Sequence, residues 1–344
     1  MPSPENFMQR CIDLAIQGSG KVAPNPLVGC VIVHAERIIG EGFHRLYGGP
    51  HAEVNAIQSV KNEERSLLLQ STLYVNLEPC SHFGKTPPCA DLIIENKIPK
   101  VMVGTADPNP LVHGHGIEKL KRAGCEVQVG ILHHEAFHLN RRFFTFIEKK
   151  RPYIILKWAQ THDGITGLEN EEVSLSNHFS KTLVHRWRSE EAAVMVGTNT
   201  AMSDDPLLDA RLWNQHKPLR IVLDRNLRLP KSLQLFDGTI PTLVFTAQPA
   251  APIPNVELVV VNFEEELVKQ VLLKLYEREV QSVLVEGGSA LLQTFIDSGH
   301  WDEARIFTTP EILKKGIAAP RIQGQIIAKE HIGNNELMIL RRTS

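Results

Sequence analysis

The residues best suited to chemistry are one histidine, one glutamate and two cysteines in the first third of the chain. His51 and Glu53 lie two residues apart in a His-Ala-Glu run, and Cys80 and Cys89 follow farther on. A catalytic zinc ion takes three protein ligands and leaves a fourth position for water, and one imidazole with two thiolates supplies that number. We therefore predict that His51, Cys80 and Cys89 bind one zinc ion per chain.

Glu53 is close enough to His51 in sequence to hold a zinc-bound water without being a ligand itself. Zinc lowers the pKa of its water, so that hydroxide is available near neutral pH. A carboxylate beside it can take up the water's proton and pass it to a leaving amine. A His-x-Glu run followed by Pro-Cys is the arrangement of the zinc nucleobase deaminases. We therefore assign Glu53 as the catalytic acid and base of a hydrolytic deamination.

Simpler explanations compete with this site, because a His-Ala-Glu run occurs by chance and paired cysteines can be buried apolar groups. Eight residues separate the cysteines, where nucleobase deaminases have two, and the glycine and prolines between them indicate a loop that returns Cys89 to the metal. A purely structural zinc usually has a fourth protein ligand, and we find no convincing one. His44 and His82 are better placed beside the metal or on the surface than as ligands.

Composition is that of a globular protein with no basic character. The 344 residues favour two domains, and the net charge of -2 gives no reason to expect nucleic acid or a membrane as a partner. We see neither a stretch of about 20 apolar residues nor a signal peptide at the start, so we expect a cytoplasmic location. Three further cysteines are better explained by core packing than by disulfides: Cys11, Cys30 and Cys125.

Helix-like and strand-like segments alternate through both halves of the chain. In the first half the pattern predicts a buried strand over 28–33, a helix from 51, a strand that ends at Cys80 and another near 100. Alternation of this kind favours an α/β fold with a largely parallel sheet. In the second half it predicts strands near 193–197, 219–224, 242–246, 256–261, 282–286 and 303–308, and helices near 178–190, 264–277 and 288–298.

A charged run before Pro152 marks the expected domain boundary, and we divide the chain into 1–148 and 149–344. We find no internal repeat and no low-complexity tract.

Four segments of the first domain resemble the bacterial bifunctional riboflavin biosynthesis proteins: 24–33, 50–57, 74–89 and 106–124. In that family a diaminohydroxyphosphoribosylaminopyrimidine deaminase is joined to a 5-amino-6-(5-phosphoribosylamino)uracil reductase, and the long cysteine insert is typical of it. The resemblance implies a cytidine-deaminase-like N-terminal domain and a dihydrofolate-reductase-like C-terminal domain. It also implies the zinc ligands named above, and that Asn25 binds the pyrimidine, although an Asn between two prolines also suits a turn.

The substrate that the resemblance implies is a phosphorylated pyrimidine, 2,5-diamino-6-ribosylamino-4-pyrimidinone 5'-phosphate. Its 2-amino group would leave as ammonia in the first domain, and NADPH would then reduce the ribosyl group to ribityl in the second. The segments 185–197 and 196–211 carry the resemblance to the reductase. By position it implies four substrate-binding residues there: Arg188, Leu208, Arg211 and Glu286. The two arginines suit a phosphate as bidentate donors, and ordinary surface ion pairing is the alternative.

The second domain has no Rossmann fingerprint, but an apolar strand ends in Gly287 and Gly288 before a helix. A helix start offers free N–H groups to a phosphate, although glycine at such a turn often serves geometry alone. By position the family resemblance implies cofactor binding by Gln160, Thr200, Asp204, Gly288, Ser289, Ala290, Leu291, Leu292, Gln293 and Thr294. The family pattern is not kept over 165–176, where a cofactor-contacting tryptophan is missing and Ser174 is its nearest match. Glu172 and Ser174 are the candidate site residues of this stretch.

Two other functions stay open at this point. A deaminase of nucleic-acid bases would need a basic, aromatic-bearing surface, which 6% aromatic residues and a slight negative charge do not favour. Alternatively, the second domain is a binding or assembly module that keeps the fold without the reaction. We expect a small-molecule substrate and neither nucleic acid nor membrane as a partner. The sequence does not determine the oligomeric state and leaves a homo-oligomer open.

Overall fold

The chain folds into two compact units, Met1–Lys150 and Arg151–Ser344. The structure, a computed structural model, describes residues 2–81, 87–109, 112–168, 173–214 and 216–343. The division between the units lies at the end of the charged run, two residues beyond the expected boundary at 148. Among the described residues, no helix is long and apolar enough to cross a membrane.

The first unit is a five-stranded sheet with helices packed on it. Its strands are β1 (Gly29–His34), β2 (Arg37–Phe43), β3 (Thr72–Leu77), β4 (Lys100–Thr105) and β5 (Glu126–Val129). Its helices are α1 (Pro4–Ile16), α2 (Ala52–Ser59), α3 (Cys89–Glu95), α4 (His115–Arg122), α5 (His133–Leu139) and α6 (Arg141–Lys149), with a 3-10 helix at Asn62–Gln70. Strand β1 is apolar on both faces because both are covered: Cys30 and Ile32 pack in one core, Val31 and Val33 in another.

The sheet of the first unit is mixed, so the expectation of a largely parallel sheet is wrong here. The strand order is β2-β1-β3-β4-β5, with β1 antiparallel to both neighbours and β3, β4 and β5 parallel. Two residues, Ala35 and Glu36, connect β1 to β2, both at positive φ (46° and 64°). A two-residue turn of this kind closes an antiparallel hairpin and leaves no room for a parallel crossover.

The second unit is built on a nine-stranded sheet of order β11-β10-β9-β8-β12-β6-β13-β16-β15, parallel from β11 to β13 and antiparallel beyond. The strands of this sheet are β6 (Tyr153–Thr161), β8 (Ala193–Gly197), β9 (Leu219–Leu223), β10 (Thr242–Thr246), β11 (Val256–Val260), β12 (Ser282–Val285), β13 (Glu303–Thr309), β15 (Gln325–Ile332) and β16 (Asn335–Arg341). Two short strands, β7 (Ile165–Gly167) and β14 (Ile317–Ala318), pair with each other in a separate sheet of the same unit. Its helices are α7 (His178–Glu190), α8 (Thr198–Asp204), α9 (Leu267–Tyr276) and α10 (Ser289–Asp297), with a 3-10 turn at Gln234–Phe236.

The strands and helices predicted for the second half are confirmed, whereas the C-terminal hairpin β15–β16 was not predicted. Strand β15 is exposed at nearly every position, so its sequence lacks the apolar run or clean alternation that indicates a strand. In the parallel part, the carboxyl ends of the strands lie at one edge of the sheet, where open α/β sheets bind their ligands.

Candidate active sites

The three predicted zinc ligands come together from three different elements. His51 is the N-cap of α2, Cys80 follows β3, and Cys89 is the first residue of α3. Nδ1 of His51 lies 3.6 Å from Sγ of Cys80 and 3.3 Å from Sγ of Cys89. A tetrahedral zinc ion with Zn–S of about 2.3 Å and Zn–N of about 2.0 Å separates such atoms by about 3.5 Å. The donor set therefore fits zinc.

No other group of three His, Cys, Asp or Glu side chains in the described part of the chain is arranged to hold a metal ion. Three ligands with no fourth in that part agree better with a catalytic than with a structural ion. His82, considered beside the site from the sequence, lies outside the described residues.

The two thiols differ in how easily they lose a proton. A hydrogen bond from Cys89, together with His51, holds the pKa of Cys80 well below its usual value. The hydrogen bond to the Cys80 sulfur, and then burial, raise the pKa of Cys89 well above the usual value of a cysteine. The backbone N–H of Cys89 also donates to Sγ of Cys80 at 3.3 Å. Since thiolates are the form that binds metal, the site by itself stabilises one of the two negative charges that zinc requires.

Glu53 lies in the first turn of α2, two residues after the ligand His51, and is 3% exposed. Burial, and then the nearby Cys80 sulfur, raise the pKa of Glu53 to about 7. A carboxyl group whose pKa is near neutrality can both accept and release a proton at physiological pH. The position and the environment of Glu53 are those expected of a proton shuttle.

Asn25 lines the same cavity as His51, Glu53 and Cys80, and His44 orients its side chain. Nδ2 of Asn25 donates to Nε2 of His44 at 3.0 Å, and Nδ1 of His44 donates to the carbonyl of Pro50 at 3.0 Å. Burial lowers the pKa of His44, which favours the neutral ring that can accept at Nε2. The ring centroids of His44 and His51 are 5.5 Å apart. His44 is therefore beside the predicted ligand His51, as the sequence suggested, and its Nε2 holds Asn25 while its Nδ1 bonds to the backbone.

A cavity of about 270 Å³ opens over these groups. Sequence reasoning missed part of its lining, namely Asp107, Asn109 and Val112, which follow β4. A signal for them existed: β3 and β4 are parallel neighbours, so the Asp-Pro-Asn run after β4 lies beside the Pro-Cys run after β3.

In the second unit, two predicted substrate residues form a buried ion pair with each other. Nε and Nη2 of Arg188 donate to Oε1 and Oε2 of Glu286 at 2.5 and 2.8 Å. Nζ of Lys157 lies 4.0 Å from Oε2 of Glu286. Burial alone would raise the pKa of Glu286, but Arg188 and Lys157 lower it below its usual value. Lys157 was not predicted, although a lysine inside the apolar run of β6 was a signal for it.

Leu208 and Arg211, the other predicted substrate residues, lie on either side of Asp209. Nη1 of Arg188 donates to the carbonyl of Asp209 at 3.1 Å, and Nη1 of Arg211 donates to its carboxylate at 2.5 Å. The fold therefore brings Arg188 to the short segment that contains Arg211. The guanidinium of Arg211 is exposed, whereas Leu208 is buried at a positive φ of 52°.

The glycine turn after β12 lies against α8. Gly288 is the N-cap of α10, and a Cβ added to it would lie 3.0 Å from Oγ1 of Thr200. Gly287 has a φ of 131° and accepts a hydrogen bond from the N–H of Gly197 at 2.9 Å. The missing side chains let Thr200 of α8 approach the start of α10 closely, and N–H groups in a first helical turn have no intrahelical acceptors. This start therefore suits a cofactor phosphate.

The side chains of other predicted cofactor residues in α10 differ in their burial and in their hydrogen-bond partners. The hydroxyl of Ser289 donates to the Ala318 carbonyl at 2.6 Å, and Leu292 is buried in the core. Gln293 and Thr294 hydrogen-bond to Asp297 and to the Ala290 carbonyl. Of these four side chains, Leu292 alone is buried, whereas those of Ser289 and Gln293 are partly exposed and that of Thr294 is exposed.

Four further predicted positions lie outside this turn. Gln160, near the end of β6, accepts from Nε1 of Trp158 at 2.8 Å. Asp204 is the exposed last residue of α8, and Ser174 is exposed outside any helix or strand. Glu172 lies outside the described residues.

Comparison with protein families gives one match in each unit. Residues 1–105 match the cytidine and deoxycytidylate deaminase zinc-binding region, and residues 152–334 match the RibD C-terminal domain.

Curated relatives match both units together. The riboflavin biosynthesis protein RibD of Aquifex aeolicus is 41% identical over 320 residues, which cover 91% of this chain and 89% of the relative. RibD of Escherichia coli is 32% identical and covers 90% of this chain and 88% of the relative. The chain thus spans nearly the full length of these proteins.

Solved structures also match both units together. The crystal structure of a diaminohydroxyphosphoribosylaminopyrimidine deaminase/5-amino-6-(5-phosphoribosylamino)uracil reductase from Thermotoga maritima is 39% identical, with a TM-score of 0.92 over 98% of both chains. RibD of Acinetobacter baumannii is 32% identical, with a TM-score of 0.88 over 99% of both.

Proposed function

This chain belongs to the RibD family of riboflavin biosynthesis proteins, and from that membership we propose its substrate and the residues that act on it. The enzyme is bifunctional, with a zinc deaminase domain followed by a reductase domain. The proposed substrate is 2,5-diamino-6-ribosylamino-4-pyrimidinone 5'-phosphate, which loses its 2-amino group as ammonia before its ribosyl group is reduced to ribityl. The proposed location is the cytoplasm, where thiols stay reduced and free to bind metal.

The deaminase reaction is assigned to the first unit, and the convergence of His51, Cys80 and Cys89 is the observation that carries the assignment. These three would hold zinc, which when bound activates water for attack. The Glu53 carboxylate takes a proton from that water and delivers it to the leaving amine. Asn25, held by His44, donates or accepts at the edge of the pyrimidine ring.

The reductase reaction is assigned to the second unit. A nicotinamide cofactor supplies the hydride, and the protein positions it. The start of α10 at Gly288 binds a cofactor phosphate, with Thr200 beside it. Arg211 has an exposed guanidinium near the Arg188–Glu286 pair, which suits the substrate's phosphate. Glu286, kept ionised by Arg188 and Lys157, is an acceptor for the ribose hydroxyl groups.

We propose NADPH as the cofactor because of the residues that follow β9. Asp224 is 2% exposed, and its carboxylate oxygens accept the N–H groups of Arg228 and Leu229 at 3.1 and 2.9 Å. It is therefore engaged in its own loop and not available to a ribose hydroxyl. The next residue, Arg225, is exposed, pairs with Glu264 and lies 6.0 Å from the ring centroid of Phe263. An arginine at the carboxyl end of a parallel strand favours binding of the 2'-phosphate group of NADPH.

The test supplies the diamino substrate to the wild-type enzyme and follows ammonia and NADPH absorbance separately. Ammonia should appear without NADPH, and NADPH oxidation should require the deaminated product. Glu53→Gln should keep its zinc, lose ammonia release by on the order of 10²–10⁴-fold, and still oxidise NADPH when given the deaminated intermediate.

Glu118→Gln is the matched control, because Glu118 is an exposed glutamate of the same unit, and it should change neither activity. Ammonia release at the wild-type rate in Glu53→Gln would place the proton shuttle elsewhere. A folded, zinc-bearing enzyme that never oxidises NADPH would support a binding module in the second unit instead.

A further inference from the structure

Glu78 is a buried carboxylate two residues before the ligand Cys80, and neither proposed reaction uses it. It follows β3, is 4% exposed and is not part of the metal-binding group. Its two oxygens accept four backbone N–H groups. Oε2 accepts from Asp107 at 3.2 Å and Gly114 at 3.0 Å, and Oε1 accepts from Gly116 at 3.0 Å and Ile117 at 3.2 Å.

These four bonds join the end of β3 to the segment after β4. Gly116 and Ile117 lie in the first turn of α4, where N–H groups have no intrahelical acceptor and a carboxylate is stabilised by the helix dipole. A Cβ on Gly116 would lie 1.9 Å from the carbonyl oxygen of Pro79. The start of α4 therefore packs directly on the chain between Glu78 and Cys80, with no room for a side chain.

The segment that Glu78 holds is also a wall of the deaminase cavity. Asp107, Asn109 and Val112 line that cavity together with the zinc ligands His51 and Cys80. Within the segment, Oδ1 of Asp107 accepts from the N–H of Asn109 at 2.8 Å, and the N–H of Val112 donates to the carbonyl of Asn109 at 2.8 Å. Those bonds lie within the segment, whereas the bonds to Glu78 attach the segment to the strand end that precedes Cys80.

We propose that Glu78 is a positioning residue for the deaminase substrate. It holds the cavity wall at a set distance from the zinc ligands, so that the pyrimidine is bound between the wall and those ligands. Glu78 also lines the cavity, but both of its carboxylate oxygens accept backbone N–H groups, and it acts through the backbone of Asp107 and Gly114. This inference rests on the proposed deaminase function of the first unit.

The test compares Glu78→Gln, Glu78→Asp and Gly116→Ala in the full-length zinc enzyme, with Glu118→Gln as control because it changes an exposed glutamate of α4. Glu78→Gln replaces one acceptor oxygen by an NH₂ group that faces N–H donors. Glu78→Asp shortens the side chain and moves both acceptor oxygens away from those donors. Gly116→Ala adds a methyl group that meets the Pro79 carbonyl oxygen, so it disturbs the same contact from the side of α4. Misplacement of this kind should lower kcat/KM for ammonia release by roughly 10–100-fold, mainly through KM. Zinc content should stay at that of wild type.

Hydrogen exchange gives a second readout that does not depend on activity. Amides of segments 106–109 and 112–117 should exchange faster in the three variants, while those of α2 and α3 keep their wild-type rates. Faster exchange with an unchanged KM would overturn the positioning role, since it would leave Glu78 with a purely structural one. Unchanged exchange would overturn the anchoring itself.

Failure of the deaminase proposal can be distinguished from failure of the Glu78 inference. If the deaminase proposal is wrong, the wild type releases no ammonia from the diamino substrate. Loss of zinc from the Glu78 variants would also overturn the inference, because it would place the effect at the metal. If Glu78→Gln does not fold, Glu78→Asp and Gly116→Ala decide the question by the same KM and exchange measurements.

Discussion

At the scale of single residues, the proposed zinc site includes two cysteines with different surroundings. Cys89 is fully buried at the first residue of α3, whereas Cys80 is partly exposed on the segment after β3. Both sulfurs contact Nδ1 of His51, so removal of either leaves only two ligands. Two protein ligands hold zinc much less tightly than three, and a serine hydroxyl does not ionise at neutral pH to replace a thiolate.

We therefore expect Cys80→Ser and Cys89→Ser each to lose the zinc ion and ammonia release together, while NADPH oxidation with the deaminated intermediate persists. Elemental analysis of the purified proteins measures the metal directly. Cys125→Ser is the matched control, because Cys125 lies outside the ligand group and its thiol donates to the carbonyl of Ile98. A zinc content equal to wild type in both ligand variants would refute the assignment.

At the scale of elements, both candidate sites lie where parallel strands end. In the first unit, β3 and β4 lead to Cys80 and to Asp107. In the second, β12, β8 and β9 are neighbours in the sheet and lead to Gly288, Thr200 and Arg225. The carboxyl ends of parallel strands lie at one edge, so residues far apart in the chain line one site. Arg225 follows β9 at this edge, two strands along the sheet from β12, which leads to the proposed phosphate-binding start of α10.

Arg225→Ala should therefore weaken NADPH binding but not NADH binding. Loss of a charged hydrogen bond to the 2'-phosphate is worth about 1.5–3 kcal/mol, or roughly 10–150-fold in Kd. Calorimetric titration of each cofactor against the full-length protein measures this. Arg228→Ala, which removes another exposed arginine of the same loop, should leave both affinities unchanged. An equal loss for NADH would show that Arg225 does not read the 2'-phosphate.

At the scale of the whole molecule, each unit has its own apolar cores. The clusters that contain Val31 and Val75 draw only on residues of the first unit, and those that contain Ile154 and Val194 only on residues of the second. A domain of about 100–150 residues is the commonest independently folding size. The two activities should therefore be separable.

A fragment of residues 1–150 should fold, bind one zinc ion and release ammonia from the diamino substrate without NADPH. It ends just after α6 at Lys149, so it keeps every helix and strand of the first unit. Circular dichroism, elemental analysis and an ammonia assay check the three expectations. A fragment that folds and binds zinc but releases no ammonia would show that the deaminase needs the second unit.

Sequence alone was enough to predict the chemistry of the first unit and strands β8 to β13 of the second. His51 and Glu53 are local neighbours at a helix start, and Cys80 follows a strand whose apolar run is plain in the sequence. Periodicity and spacing within one segment report such features directly. The same holds for β8, β10 and α7, whose bounds were predicted to the residue.

Only the tertiary structure decided which segments meet. The β1–β2 hairpin, the order of the nine strands, the approach of Lys157 to Glu286 and the four N–H groups around Glu78 all join residues that local patterns treat separately. It also showed that, within a stretch expected to bind cofactor, Leu292 is buried in the core, whereas Ser289, Gln293 and Thr294 make hydrogen bonds at partly exposed or exposed positions. The physical reason is that a hydrogen bond or ion pair depends on strand order and helix orientation, and these are set by the packing of the whole core.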